Sequence, residues 1–164
     1  MSLLFATNGM TLDIGAVKTF NGTDFLATDF TTGSPTWTKV GGVTNMGTFG
    51  DTAELISSKV ISEKRVRKAK GTQNAGSQQL VCNLDYSDAG QIALRAAAKA
   101  KDTYAFRVTF NDAPAGGTPS IRYYTALVMS ASEQFNEADN VMELHVTLEI
   151  DSNIVEVAAA EAEG

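Results

Sequence analysis

The side chains best able to do chemistry in this sequence are few. His145 is the only histidine and Cys82 the only cysteine among the 164 residues. A catalytic histidine needs a nucleophile and an orienting acid within reach. No Ser/His/Asp order or Cys/His spacing surrounds His145. One Cys and one His cannot make a common zinc site, and a lone Cys cannot close an intrachain disulfide. Cys82 alternates with Leu80 and Leu84, the pattern of a buried, inert thiol. Glu143 and Glu149 fall on one side of a strand, but six residues at ~3.3 Å each put them about 20 Å apart, too far for a glycosidase carboxylate pair. Asp85 and Asp88 suit turns and helix caps better than calcium. Gly41-Gly42, Gly47 and Gly50 precede neither a Gly-Lys-Ser/Thr run nor a helix, so they form no phosphate-binding loop. The residues predict no enzyme, no metal and no cofactor.

Charge is the stronger signal. Residues 59–70 hold Lys59, Lys64, Arg65, Arg67, Lys68 and Lys70 against Glu63 alone, a local balance of +5 in a chain of net charge −6. From Glu133 to the C-terminus there are nine acids and no Lys or Arg. A basic arm and an acidic surface on one subunit suit the joining of copies to each other. The arm could neutralise nucleic-acid phosphates, but no aromatics are interleaved to stack bases. A binding module that uses this arm therefore stays open as an alternative.

The length fits one domain, expected over residues 1–157. The opening residues lack a basic region followed by a long apolar run, and no stretch approaches the roughly 20 apolar residues of a membrane span. The reading expects synthesis in a cytosol and no membrane partner. Strands are expected at 37–49, interrupted by glycines, and at 52–61, 79–84, 103–110, 121–135 and 141–151. In the last, Met142, Leu144, Val146, Leu148 and Ile150 face one way, and Glu143, His145, Thr147, Glu149 and Asp151 the other. Asp88, with Gln91 at the third helical position, predicts a capped helix whose alanine-rich face lies on a sheet. Residues 62–77 show neither period and are expected to form a long exposed loop. Residues 158–164 are expected to fray, and residues 1–35 give no clear pattern. The fold class is mainly β (α+β): a β-sandwich or partial barrel with one flanking helix.

Taken in order, several pieces resemble the siphophage major tail tube proteins over about residues 37–157. They are Val40-Gly-Gly-Val-Thr-Asn-Met-Gly, the 52–61 strand, the basic loop, Leu84-Asp-Tyr-Ser-Asp-Ala-Gly-Gln, the 104–110 strand and the closing strands 124–135 and 141–151. The resemblance implies a virion protein made in the host bacterial cytoplasm that forms stacked hexameric rings. It also implies passage of DNA without specific binding, and contact with tape measure, tail tip or baseplate, and terminator proteins. Inter-ring contact falls to Lys64, Arg65, Arg67, Lys68 and Lys70. The lumen lining falls to Glu143, His145, Thr147 and Glu149, with Glu54 and Glu133. A tube protein of a contractile phage-like or type VI secretion apparatus is the nearest alternative.

Overall fold

Strict alternation builds the clearest element. In β9 (Glu143–Ile150), Leu144, Val146, Leu148 and Ile150 are buried while the residues between them are half-exposed. A computed structural model describes residues 4–163, so the first three residues and Gly164 lie outside it. β9 pairs antiparallel with β6 (Ser77–Asn83) on one side and with β8 (Ile121–Gln134) on the other. β6 in turn carries the short β3 (Val43–Asn45).

β8 belongs to two layers. Residues 121–126 pair with β7 (Tyr104–Thr109), and residues 121–123 with β10 (Val155–Val157). Residues 126–134 pair with β9, across a register break between Val128 and Ser130. Beyond β7 the first layer continues through β1 (Thr11–Val17) to β2 (Thr38–Val40). The two layers close over one core, with Leu12, Phe106, Val108 and Tyr124 facing Leu80, Cys82, Leu144 and Leu148. The path runs β2-β1-β7-β8-β9-β6-β3, and its ends do not pair with each other. The architecture is thus a β-sandwich that stops short of a barrel.

Asp88 starts α2 (Ala89–Lys99) as expected, its Oδ2 accepting from the Gln91 backbone N–H at 2.9 Å. The buried face is turned from the one predicted: Gly90, Gln91, Leu94 and Ala97 are buried, and Ile92 is exposed. Gln91 leads because its amide is satisfied inside, as described below. Arg95 reaches across to Glu133 on β8 at 2.5 Å and lies over the Tyr86 ring.

Residues 1–35, unpatterned in sequence, supply an interior strand and a small helix. β1 buries Leu12 and Ile14, and the alternation is masked because Asp13 is buried too, paired with Arg107 at 2.8 Å. Gly15 leaves room for the Trp37 ring, which an added Cβ would meet at 2.9 Å. α1 (Ala27–Thr31) sets Phe30 flat on Tyr123, forming a second cluster with Ala105 and Val155 on the outer side of the first layer.

Three expectations need correction. The 37–49 strand is two short strands joined by Gly41-Gly42, with Gly42 at φ +72 in the left-handed region. The long loop at 62–77 is mostly strand: β5 (Arg67–Asn74) pairs with β4 (Thr52–Ser58) in a hairpin of its own. Both faces of that hairpin meet solvent, so no apolar period marks it. The tail expected to fray from 158 is tied as far as Ala160, which exchanges backbone hydrogen bonds with Thr118 at 2.8 and 3.1 Å.

Candidate assembly surfaces

Opposite the core, the second layer presents a polar wall. Glu143, His145, Thr147 and Glu149 stand in a row on β9. Their cross-strand neighbours are Asn83, Val81, Gln79 and Ser77 on β6, and Gln134, Ser132, Ser130 and Leu127 on β8. No Lys or Arg stands in these three rows. Hydrogen bonds knit the row sideways: Thr147 Oγ1 donates to Gln79 Oε1 at 2.9 Å, and Ser77 Oγ lies 2.7 Å from both Glu149 carboxylate oxygens. The Asn136 amide donates to Glu143 Oε1 at 3.2 Å. His145 Nε2 is 3.9 Å from Glu143 Oε2, too far for a hydrogen bond.

Two of the six wall candidates stand elsewhere. Glu133 pairs in register with Leu144, which puts it on the helix side of the sheet, where it holds Arg95. Glu54 belongs to β4 and the separate hairpin. Strand parity could have placed Glu133, had the bulge at Met129 been visible; it shifts the phase of everything after it.

The wall has open edges. Pairing with β7 ends at Ala126, and among the described residues no strand covers that side of β8 from 127 onward. β3 ends the sheet at the other side with only three residues. Unpaired edges of this kind are templates for another chain's strand.

The β4–β5 hairpin is the second surface. Among the described residues neither strand pairs with the sandwich. Lys64 and Arg65 lie in the connecting segment, while Arg67, Lys68 and Lys70 lie on β5. Arg67 is held by Glu63 in a two-pronged contact at 2.7 and 2.8 Å. Among the described residues, Lys59, Lys64, Arg65, Lys68 and Lys70 form no ion pair. What sequence reasoning missed is the apolar side chains beside these cations. Leu55, Ile56, Val60, Ile61 and Val66 are all exposed, Ile61 completely. In sequence Leu55, Ile56, Val60 and Ile61 fall in the strand expected at 52–61 and Val66 in the expected exposed loop, and only the lack of a partnering face shows them to be exposed.

A third constellation joins two of the pieces that carry the sequence resemblance. Gly41-Gly42 and the start of α2 touch. Asp88 Oδ2 accepts from Gly41 N–H at 3.0 Å, besides capping the helix. Gln91 Nε2 donates to the carbonyls of Gly41 at 2.9 Å and Asn83 at 2.8 Å, and Gln91 Oε1 accepts from Asp85 N–H at 3.0 Å. A Cβ on Gly90 would collide with the Lys39 carbonyl, so only glycine lets the helix lie this close to β2. This junction is a structural clamp. Cys82 is buried near it, and desolvation, with the Asp88 charge, pushes its thiol up to about 11. Among the described residues no group of three potential ligands gathers for a metal, and no helix is long and apolar enough to cross a membrane.

A two-layer sandwich with a polar, lysine-free wall, open edges and a projecting hairpin defines a subunit built to join others. The phage tail tube protein (TTP) family model matches residues 6–159, and the chain belongs to that family. It is a structural component of a phage tail. Solved structures share the fold at low identity. A chain of the SPP1 tail tube is 14% identical, with TM-score 0.59, over 94% of this chain and 78% of that one. A chain from the anti-feeding prophage baseplate is 12% identical, with TM-score 0.65, over 96% and 98%. One from the sheath/tube terminator of an extracellular contractile injection system is 10% identical, with TM-score 0.67, over 96% and 99%. No curated protein matches the sequence.

Proposed function

We propose that six copies of this chain close into a ring whose walls join edge to edge into one barrel, and that rings stack into the tail tube with Glu143, His145, Thr147 and Glu149 lining the lumen. The observation that carries this reading is the wall itself: a sheet face without Lys or Arg, flanked by unpaired edges at β8 and β3. Closing a sheet between neighbours removes those edges. An acidic and polar lining repels phosphate and offers it no cation, so DNA slides through without being held. The β4–β5 hairpin carries the stacking contact, through Lys64, Arg65, Lys68 and Lys70; Arg67 is engaged by Glu63.

The test is negative-stain electron microscopy of purified protein over a range of concentration and salt. Rings or hollow filaments are expected, and replacement of residues 54–72 by a two-residue turn should abolish filaments while leaving the far-ultraviolet circular dichroism of the sandwich. Monomers alone, even with a tail initiator complex added, would overturn the reading. Sheath components co-purifying with the tube from tail preparations would favour the contractile alternative, which keeps the ring and its barrel.

A further inference from the structure

The hairpin cannot stack on nothing, and its receiver can be sought on the same chain. Ser77 at the start of β6 pairs with Glu149, and Asn83 at its end pairs with Glu143. The β4–β5 hairpin is rooted at the Ser77 end, through the buried Ala75 and the bond from Gly50 N–H to the Ala75 carbonyl. The turn joining β8 to β9 therefore lies at the opposite end of the wall, six residues or about 20 Å along β6. Two surfaces at opposite ends of one molecule are what head-to-tail stacking requires, and a head-to-tail contact that does not close into a ring continues as a filament.

The turn has the complementary chemistry. Phe135, Val141 and Met142 are exposed around it, as are Glu137 and Asp139. Among the described residues neither acid forms an ion pair. The turn is shaped rather than slack: Asn136 sits at φ +61, and its amide donates to the Val141 carbonyl at 3.3 Å. Another acidic hollow, formed by Asp24, Asp51 and Asp151, lies at the hairpin's own root. It offers less apolar surface, because its Phe20 already packs edge-on against Phe25.

We infer that the β8–β9 turn of one copy receives the β4–β5 hairpin tip of a second copy, Ile61 against Phe135 and Val141, with Lys64 and Arg65 facing Glu137 and Asp139. The pairing covers apolar surface at both tips and matches free cations with free acids. An isolated two-stranded hairpin is marginal in water, so fixing its tip against a neighbour also steadies β4 and β5. This rests on the stacked-tube reading and specifies its interface.

The test uses the full chain with Ile61→Cys and Val141→Cys together. Cys82 is fully buried, so the introduced thiols are the reactive ones. Under mild oxidation the filaments should give a ladder of disulfide-linked multimers on non-reducing gels, and neither single variant should. Independently, Glu137→Lys with Asp139→Lys should lower the sedimentable fraction about 10- to 100-fold, and adding Lys64→Glu with Arg65→Glu should restore it. These residues are exposed, so the monomer fold is spared in either set. Normal filaments without a ladder, or charge reversals without effect, overturn the interface and leave the tube reading standing. A wild-type chain that never assembles overturns both.

Discussion

Gln91 is the residue whose loss should be felt most for its size. Its side chain is fully buried and makes three hydrogen bonds, each to a backbone group: the Asp85 N–H and the carbonyls of Gly41 and Asn83. Truncation to Ala removes all three. A backbone group that water can reach afterwards costs about 1 kcal/mol, and one that stays sealed costs up to about 3 kcal/mol. Asn83 and Asp85 are exposed residues, so water can reach part of the vacated site, whereas Gly41 is partly covered. The expected loss is about 3–5 kcal/mol, from a total of roughly 5–15 kcal/mol for a domain. For a chain of this size that lowers Tm by about 6–20 °C. The assay is urea unfolding followed by the fluorescence of Trp37, the only tryptophan, read as a shift in midpoint at constant slope. Gln91→Leu separates hydrogen bonding from packing: it refills the volume but leaves the same three groups unpaired, so it should lose nearly as much as Ala. A Leu variant within about 0.5 kcal/mol of wild type, the range of an ordinary surface change, would refute the argument that the amide, not the volume, clamps α2 to β2 and β6.

Two further outcomes follow from titration. With burial holding the Cys82 thiol at about 11, the folded protein should not react with a thiol reagent at pH 8, and the urea-unfolded chain should react at once. Because folding raises this value, stability should also fall as pH climbs above the ordinary thiol range; rapid labelling of the native state would contradict both statements. The Ser120 hydroxyl and amide, bonded to Asp112 at 2.6 and 2.8 Å, hold its carboxyl below the usual range. A depressed folded value stabilises above the unfolded value and is lost as pH falls through the folded one, so Ser120→Ala should move the Asp112 titration seen by NMR back upward; an unchanged titration would show that the contact does not form.

The sequence made some elements plain and hid others for physical reasons. β9 is legible because one face is sealed and the other wet, which forces a period of two. α2 is legible from Asp88 and the alanines, but its rotation is not, because Gln91 is polar by type and core by partnership. β1 hides behind Asp13, an acid made tolerable inside by Arg107. β5 hides because neither of its faces is sealed, so nothing selects its side chains by parity. Among the wall residues, the four on β9 follow from alternation alone, whereas Glu133 requires knowledge of the bulge at Met129. The apolar side chains of the hairpin could not be told from core residues, since exposure is a property of the fold and not of the residue type.

The placement of charge at the two ends of the wall also makes each molecule an electric dipole. Cations concentrate on the hairpin rooted at the Ser77 end, and Glu137 and Asp139 stand at the other. Two such molecules attract when aligned nose to tail and repel when inverted. At physiological ionic strength the field reaches only about 8 Å beyond the surface, so the bias acts in the last moments of encounter, where it selects orientation. A stack joined through the proposed contact would have chemically unlike ends, the hairpin cations at one and Glu137 and Asp139 at the other.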